Sequence, residues 1–189
     1  MSKNISYIVL AIVLVVAAGC GGKGEERQPN VVFILIDDLG WTDVGSFGSS
    51  FYDTPNVDRL TAQGMKFTNA YAASPICSPT RASIMTGRHP ARLNITDWIP
   101  GRSNRPDQQL LQVDDRDALP LDEVTVAEML KEAGYTTAHM GKWHLGGGVH
   151  LPEGQGFDVN VAGNRAGLPP SYFHPYERGS YQLDHLAAT

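Results

Sequence analysis

The chain has 189 residues, enough for one domain with a buried core. Fifteen Lys and Arg stand against twenty Asp and Glu, a formal net charge of −5 with no Arg-rich tract or basic stripe, which argues against nucleic acid as a partner. An anionic substrate would therefore be drawn by a few local cations or a bound metal ion, since the overall field repels it.

At the N-terminus, Lys3 precedes an almost purely apolar stretch from Tyr7 to Ala18. The stretch is shorter than the ~20 residues of a spanning helix and reads as an export signal. Ala17-Ala18-Gly19-Cys20 resembles a lipobox, with Ala17 where Leu is usual. Residues 1–20 are thus expected to be a lipoprotein signal peptide with Cys20 lipidated; a plain cleaved signal peptide is the alternative. Residues 21–29 (GGKGEERQP) read as a flexible tether, and residues 30–189 as the folded part. The expected location is the bacterial cell envelope, lipid-anchored, in the periplasm or on the cell surface.

Val31-Val32-Phe33-Ile34-Leu35-Ile36 is a continuous apolar run that ends at Asp37-Asp38. Such a run predicts a central strand buried on both faces of a parallel sheet. Thr54-Pro55 marks a helix start, with Val57, Leu60 and Thr61 on one face and Gly64 at the end. Met65 to Tyr71 alternates as a second strand. Pro79 to Met85 reads as a helix closed by Gly87, with Cys77 just before its start. Asn94 to Leu119 lacks periodicity and is expected to be a long surface loop or substrate-facing insertion. Thr125 and Glu128 have capping-box spacing, and Val126, Met129, Leu130 and Ala133 follow at helical intervals. Tyr135 to Met140 is a third strand candidate, and no element is evident beyond Gly147. The alternation of elements predicts an α/β sandwich around a mostly parallel or mixed sheet. Three polar motifs each follow a predicted strand: Asp37-Asp38, Cys77 to Arg81, and Lys142 to His144. Ligands bind beyond the carboxyl ends of strands in such sheets, so the three are expected to meet at one edge.

Each motif has a chemical reading. Two adjacent carboxylates at a strand end repel unless a cation neutralises them, and all-oxygen ligands favour Ca²⁺ or Mg²⁺. Taken alone, the pair reads rather as a solvated loop start with an Asp capping a helix, and it is its place after the apolar run and beside the Cys77 motif that favours the cation. Cys77 sits where free backbone N–H groups could hold an oxyanion, and Arg81, one turn on, offers a planar, permanently charged fork. Apart from Cys20, Cys77 has no other cysteine to pair with, so it is either a buried structural thiol or a reactive or modified one. Lys142 supplies a point charge and His144 a proton-transfer group near neutral pH. Trp143 between them reads as a packing anchor. His89, His139, His150, His174 and His185 read as structural or solvent-exposed.

Cys77-Ser78-Pro79-Thr80-Arg81 with Ser83 and Thr86-Gly87-Arg88, Gly141-Lys142-Trp143-His144-Leu145-Gly146, and Gly156-Phe157-Asp158 together resemble the sulfatase family of the alkaline phosphatase superfamily. The resemblance runs from about Asn30 to at least Asp158. It implies a sulfuric ester hydrolase of arylsulfatase type, with an alkaline-phosphatase-like fold. It implies that a formylglycine-generating enzyme converts Cys77 to formylglycine. One hydroxyl of the hydrated aldehyde would attack sulfur, and the second would be deprotonated to eliminate sulfate. Asp37, Asp38 and the modified Cys77 would bind Ca²⁺, Arg81 would hold the formylglycine hydroxylate, Lys142 would bind the sulfate, and His144 would assist deprotonation. The expected substrate is a sulfated glycan or aryl sulfate. In this family the remaining calcium ligands, the general acid and a further Lys come from a C-terminal half beyond Thr189. The chain is therefore expected to be the N-terminal part of such an enzyme, with an incomplete sheet. The alternatives are a phosphonate or phosphodiester hydrolase of the same superfamily, or an inactive surface lipoprotein fragment.

Overall fold

A computed structural model describes residues 28–173, together with the strand backbones Glu177–Arg178 and Tyr181–Gln182. The expected signal peptide, the lipidation site Cys20, most of the tether, His174 and His185 lie outside the described residues. The chain divides into two compact units, Met1–Ile36 and Asp37–Thr189. Among the described residues no helix is long and apolar enough to cross a membrane.

The described part of the first unit contains no helix or strand. Val31 to Ile36 are between 40% and 83% exposed, which corrects the prediction of a buried strand. An apolar β-branched run marks a segment suited to two-sided burial, but a strand exists only through its ladder partners, and residues 31–36 join no ladder.

In the second unit, helix α1 (Pro55–Gln63) begins as predicted at Thr54-Pro55. The Thr54 hydroxyl does not cap the helix. It accepts from the Gly45 N–H at 2.8 Å and donates to the Asp58 carboxylate. Asp58 in turn accepts from the Ser46 N–H at 2.6 Å, so the helix is tied to the tight 3₁₀ turn Gly45–Phe47. The predicted apolar face stays open, with Leu60 65% exposed. Met65 to Tyr71 form no strand. With no neighbouring strand to pair, the segment is instead anchored by Lys66, whose ammonium donates to the Ser46 carbonyl and stands over the Phe47 ring.

Helix α2 (Cys77–Thr86) carries the first signature, with Cys77 its first residue, and ends on the left-handed Gly87. A short helix α3 (Pro90–Leu93) follows, capped by His89 through its Nδ1. Residues 94–119 have no regular elements but are internally bonded. The buried Asp97 holds Arg102 at 2.9 Å and Gln112 at 3.0 Å, and Asp115 holds Thr96. Helix α4 (Val126–Glu132) forms the predicted reciprocal capping box between Thr125 and Glu128.

Strand β1 (Ala138–Met140) pairs in parallel with β2 (Val159–Val161), in the register Ala138↔Val159 to Met140↔Val161. Strand β2 had no sequence forecast. Strands β3 (Glu177–Arg178) and β4 (Tyr181–Gln182) form a separate antiparallel pair. The α/β class holds, with a small parallel sheet in place of an extended one. The core is one cluster of Ala82, Leu93, Ile95, Ile99, Leu119, Trp143 and Leu145, with Met85 and Phe157 packed against it.

Candidate active site

The loop after β1 is held from two directions. Trp143 and Leu145 are 1% and 0% exposed and enter the core, while the Lys142 and His144 carbonyls accept from the Arg81 guanidinium and the Ser78 hydroxyl of α2. Trp143 donates its indole N–H to the His150 carbonyl at 2.8 Å, and rests edge-on against His139 and Phe157. The Leu145 carbonyl accepts from the Leu119 N–H at 2.9 Å. These anchors hold the loop from its apolar side and leave its polar side chains to the site.

Arg81 lies one turn into α2 and is 8% exposed. Its Nη1 donates to the Lys142 carbonyl, and its Nη2 lies 3.8 Å from the Asp37 carboxylate. The ammonium of Lys142 bonds the other oxygen of Asp37. One carboxylate thus lies between two cations, and residues distant in sequence converge as predicted. Burial pushes the Arg81 pKa down, while the charges of Asp37 and Cys77 oppose that shift; an arginine stays protonated throughout. Asp38 is exposed, with φ at 55°. Cys77 is a half-buried free thiol.

His144 is 4% exposed. Its backbone is left-handed, φ 59°, a conformation that costs energy in a non-glycine residue and persists only where its surroundings fix it. Those surroundings are explicit. Its N–H donates to the Asn164 carbonyl at 3.1 Å, its carbonyl accepts from the Ser78 hydroxyl at 2.9 Å, and its Nε2 lies 2.6 Å from the Ile99 carbonyl. A carbonyl only accepts, so Nε2 carries the proton and Nδ1 keeps a lone pair. Nδ1 is buried without a partner among the described residues. Burial pushes the His144 pKa down, helped by Lys142 and Arg81 and opposed by the Ile99 carbonyl and Asp37.

A cavity of about 320 Å³ opens beside Asp37 and Lys142 and is walled by Asn164, Leu168 and Tyr172 among others. Ser78, Ile99, Asn164 and Gly167 were not foreseen as site residues. Ser78 fills a variable place in its signature, and Ile99 and Asn164 act through backbone carbonyls, which leave no side-chain signal. Gly167 was one glycine among many. The metal expectation meets a narrower finding. Asp37 and Asp38 are hard oxygen donors suited to Ca²⁺, yet no group of three His, Cys, Asp or Glu able to hold a metal ion occurs among the described residues.

Comparison with known proteins assigns the chain to a family. The sulfatase family model matches residues 29–185. The N-acetylgalactosamine-6-sulfatase of Canis lupus familiaris is 39% identical over 166 residues, covering 85% of this chain and 29% of that protein. Arylsulfatase A of Homo sapiens is 43% identical over 150 residues, covering 78% and 27%. Among solved structures, Ps i-CgsB superposes with a TM-score of 0.61 at 36% identity, over 73% of this chain and 29% of its own. The same protein has been solved in complex with k-i-k-neocarrahexaose. The chain spans less than a third of the length of the curated relatives it matches. With its signatures intact and gathered around α2 and the β1 loop, the chain belongs to the sulfatase family.

Proposed function

We propose that the protein hydrolyses sulfate esters, on a sulfated glycan or an aryl sulfate, with residue 77 as the reaction centre. The observation that carries this reading is the meeting of Asp37, Arg81 and Lys142 beside the Cys77 helix. Two cations held on one carboxylate make a local positive field within an acidic chain, suited to an anionic sulfuryl group. The carbohydrate-active relatives favour a glycan substrate.

Formylglycine formed from Cys77 by a generating enzyme would supply a hydrated aldehyde as nucleophile, and Ca²⁺ would supply charge stabilisation. Asp37, Asp38 and residue 77 would be part of the ligand set of that ion, since two carboxylates alone do not complete one. The protein's own groups have distinct tasks. Arg81 steadies the hydroxylate at residue 77 from one turn away. Lys142 binds the sulfate oxygens at the mouth of the cavity. His144 accepts a proton at Nδ1, the nitrogen left free by the Ile99 carbonyl. Lipidation of Cys20 would hold the protein at a membrane of the cell envelope.

The test is the release of inorganic sulfate from sulfated oligosaccharides and an aryl sulfate, against phosphonate and phosphodiester esters of the same alcohols. Preferred turnover of the sulfates supports the reading. Preferred turnover of the phosphorus esters replaces it with the other hydrolase class. No turnover of either removes the enzymatic reading.

A further inference from the structure

We propose that Ser78, with the Ile99 carbonyl and Gly167, forms a frame that fixes the His144 imidazole, and that Ser78 is a positioning residue for the reaction. The proposal rests on the role given to His144 above. Ser78 is 0% exposed, and its one hydroxyl makes two bonds to two distant segments. It donates to the His144 carbonyl at 2.9 Å and accepts from the Ile99 N–H at 3.0 Å. The next group along the same path is the Ile99 carbonyl, which receives His144 Nε2 at 2.6 Å. One side chain therefore ties together the start of the Cys77 helix, the backbone of His144 and the residue that orients the His144 ring.

Gly167 lies against the same ring. A Cβ built there would lie 2.6 Å from Cε1 and 2.9 Å from Nε2 of His144, closer than real Cβ atoms approach a neighbour. The ring lies against a backbone carbonyl and a bare Cα, with no room for a side chain at residue 167 unless the ring shifts. The left-handed backbone of His144 belongs to the same device. Its N–H and carbonyl are both engaged, by Asn164 and Ser78, and this holds a conformation the residue would otherwise leave. The consequence is a fixed tautomer, with the proton on Nε2 and the lone pair on Nδ1.

The experiment uses the protein labelled with ¹⁵N-histidine. The ring N–H of His144 is identified by its disappearance in His144→Asn, and its hydrogen exchange is measured in wild type and Ser78→Ala. The frame predicts a protected ring N–H in wild type and exchange faster by about tenfold in Ser78→Ala. Formylglycine content at residue 77 is quantified, so that turnover is counted per modified site. On that basis kcat should fall by about tenfold with KM unchanged, a split that general loosening of the fold would not give. Equal protection in both proteins, with the near-ultraviolet dichroism of Trp143 unchanged, overturns the proposal. Should Ser78→Ala fail to fold, Gly167→Ala decides, because it leaves both Ser78 bonds in place. It must lose the protected N–H, and retention overturns the frame. A protected, Ser78-dependent N–H in a protein that releases no sulfate would leave the frame standing and remove only the functional reading.

Discussion

Replacing Arg81 with lysine tests whether the site is held by a fork or merely by a charge. The guanidinium reaches the Lys142 carbonyl with Nη1 and approaches Asp37 with Nη2 at 3.8 Å, from a side chain 10% exposed. A lysine has one ammonium on a flexible stem and cannot serve both. If it keeps Asp37, the Lys142 carbonyl loses its partner. A buried hydrogen bond to a charged group contributes about 1.5–3 kcal/mol. The ion pair itself adds little to the difference, because the Coulomb gain of about 4 kcal/mol at an effective dielectric of 20 is largely offset by desolvation. Arg81→Lys should therefore cost about 1.5–3 kcal/mol. The assay is urea unfolding followed by tryptophan fluorescence. With a slope of about 2 kcal/mol per M, the midpoint should fall by about 1 M. A fall of less than about 0.2 M would refute the reasoning, since it would mean that the second contact contributes nothing.

Two further outcomes follow from the same structure. Trp143→Ala removes the largest buried side chain and leaves the His150 carbonyl unpaired, so it should destabilise by about 3–5 kcal/mol; a loss below about 1.5 kcal/mol in the same urea assay would mean that the loop is not anchored by its core. His139 packs edge-on against Trp143 and Phe157, and burial first, then Arg81, holds its pKa down to about 4. The unfolded chain takes up this proton below its ordinary value of about 6.5, so the contribution of neutral His139 is present above that pH and lost as pH falls toward 4. His139→Phe should flatten the fall of the urea midpoint between pH 6.5 and 4, and an unchanged slope would assign it to other groups.

The sequence was most legible where local chemistry decides the structure. The capping box at Thr125 and Glu128, the stop at Gly87 and the core role of Trp143 each depend on a few neighbouring residues. It was least legible where a segment needs a distant partner. Val31 to Ile36 and Met65 to Tyr71 have strand composition but join no ladder, while Val159–Val161 is a strand because β1 supplies one. The convergence of the motifs was foreseen on a premise only partly met. Of the three, only Lys142 to His144 follows an observed strand. What brings Asp37 and Arg81 to it is charge and a backbone carbonyl. Ser78 stayed hidden because its value lies in two backbone groups far along the chain, at Ile99 and His144.

Whether residue 77 is the reaction centre is decided by sulfate release from wild type and Cys77→Ala, with the residue-77 peptide read by mass spectrometry. The expected result is an aldehyde in place of the thiol in wild type, sulfate release by that protein, and none by Cys77→Ala. Undiminished sulfate release by Cys77→Ala would contradict that role for residue 77.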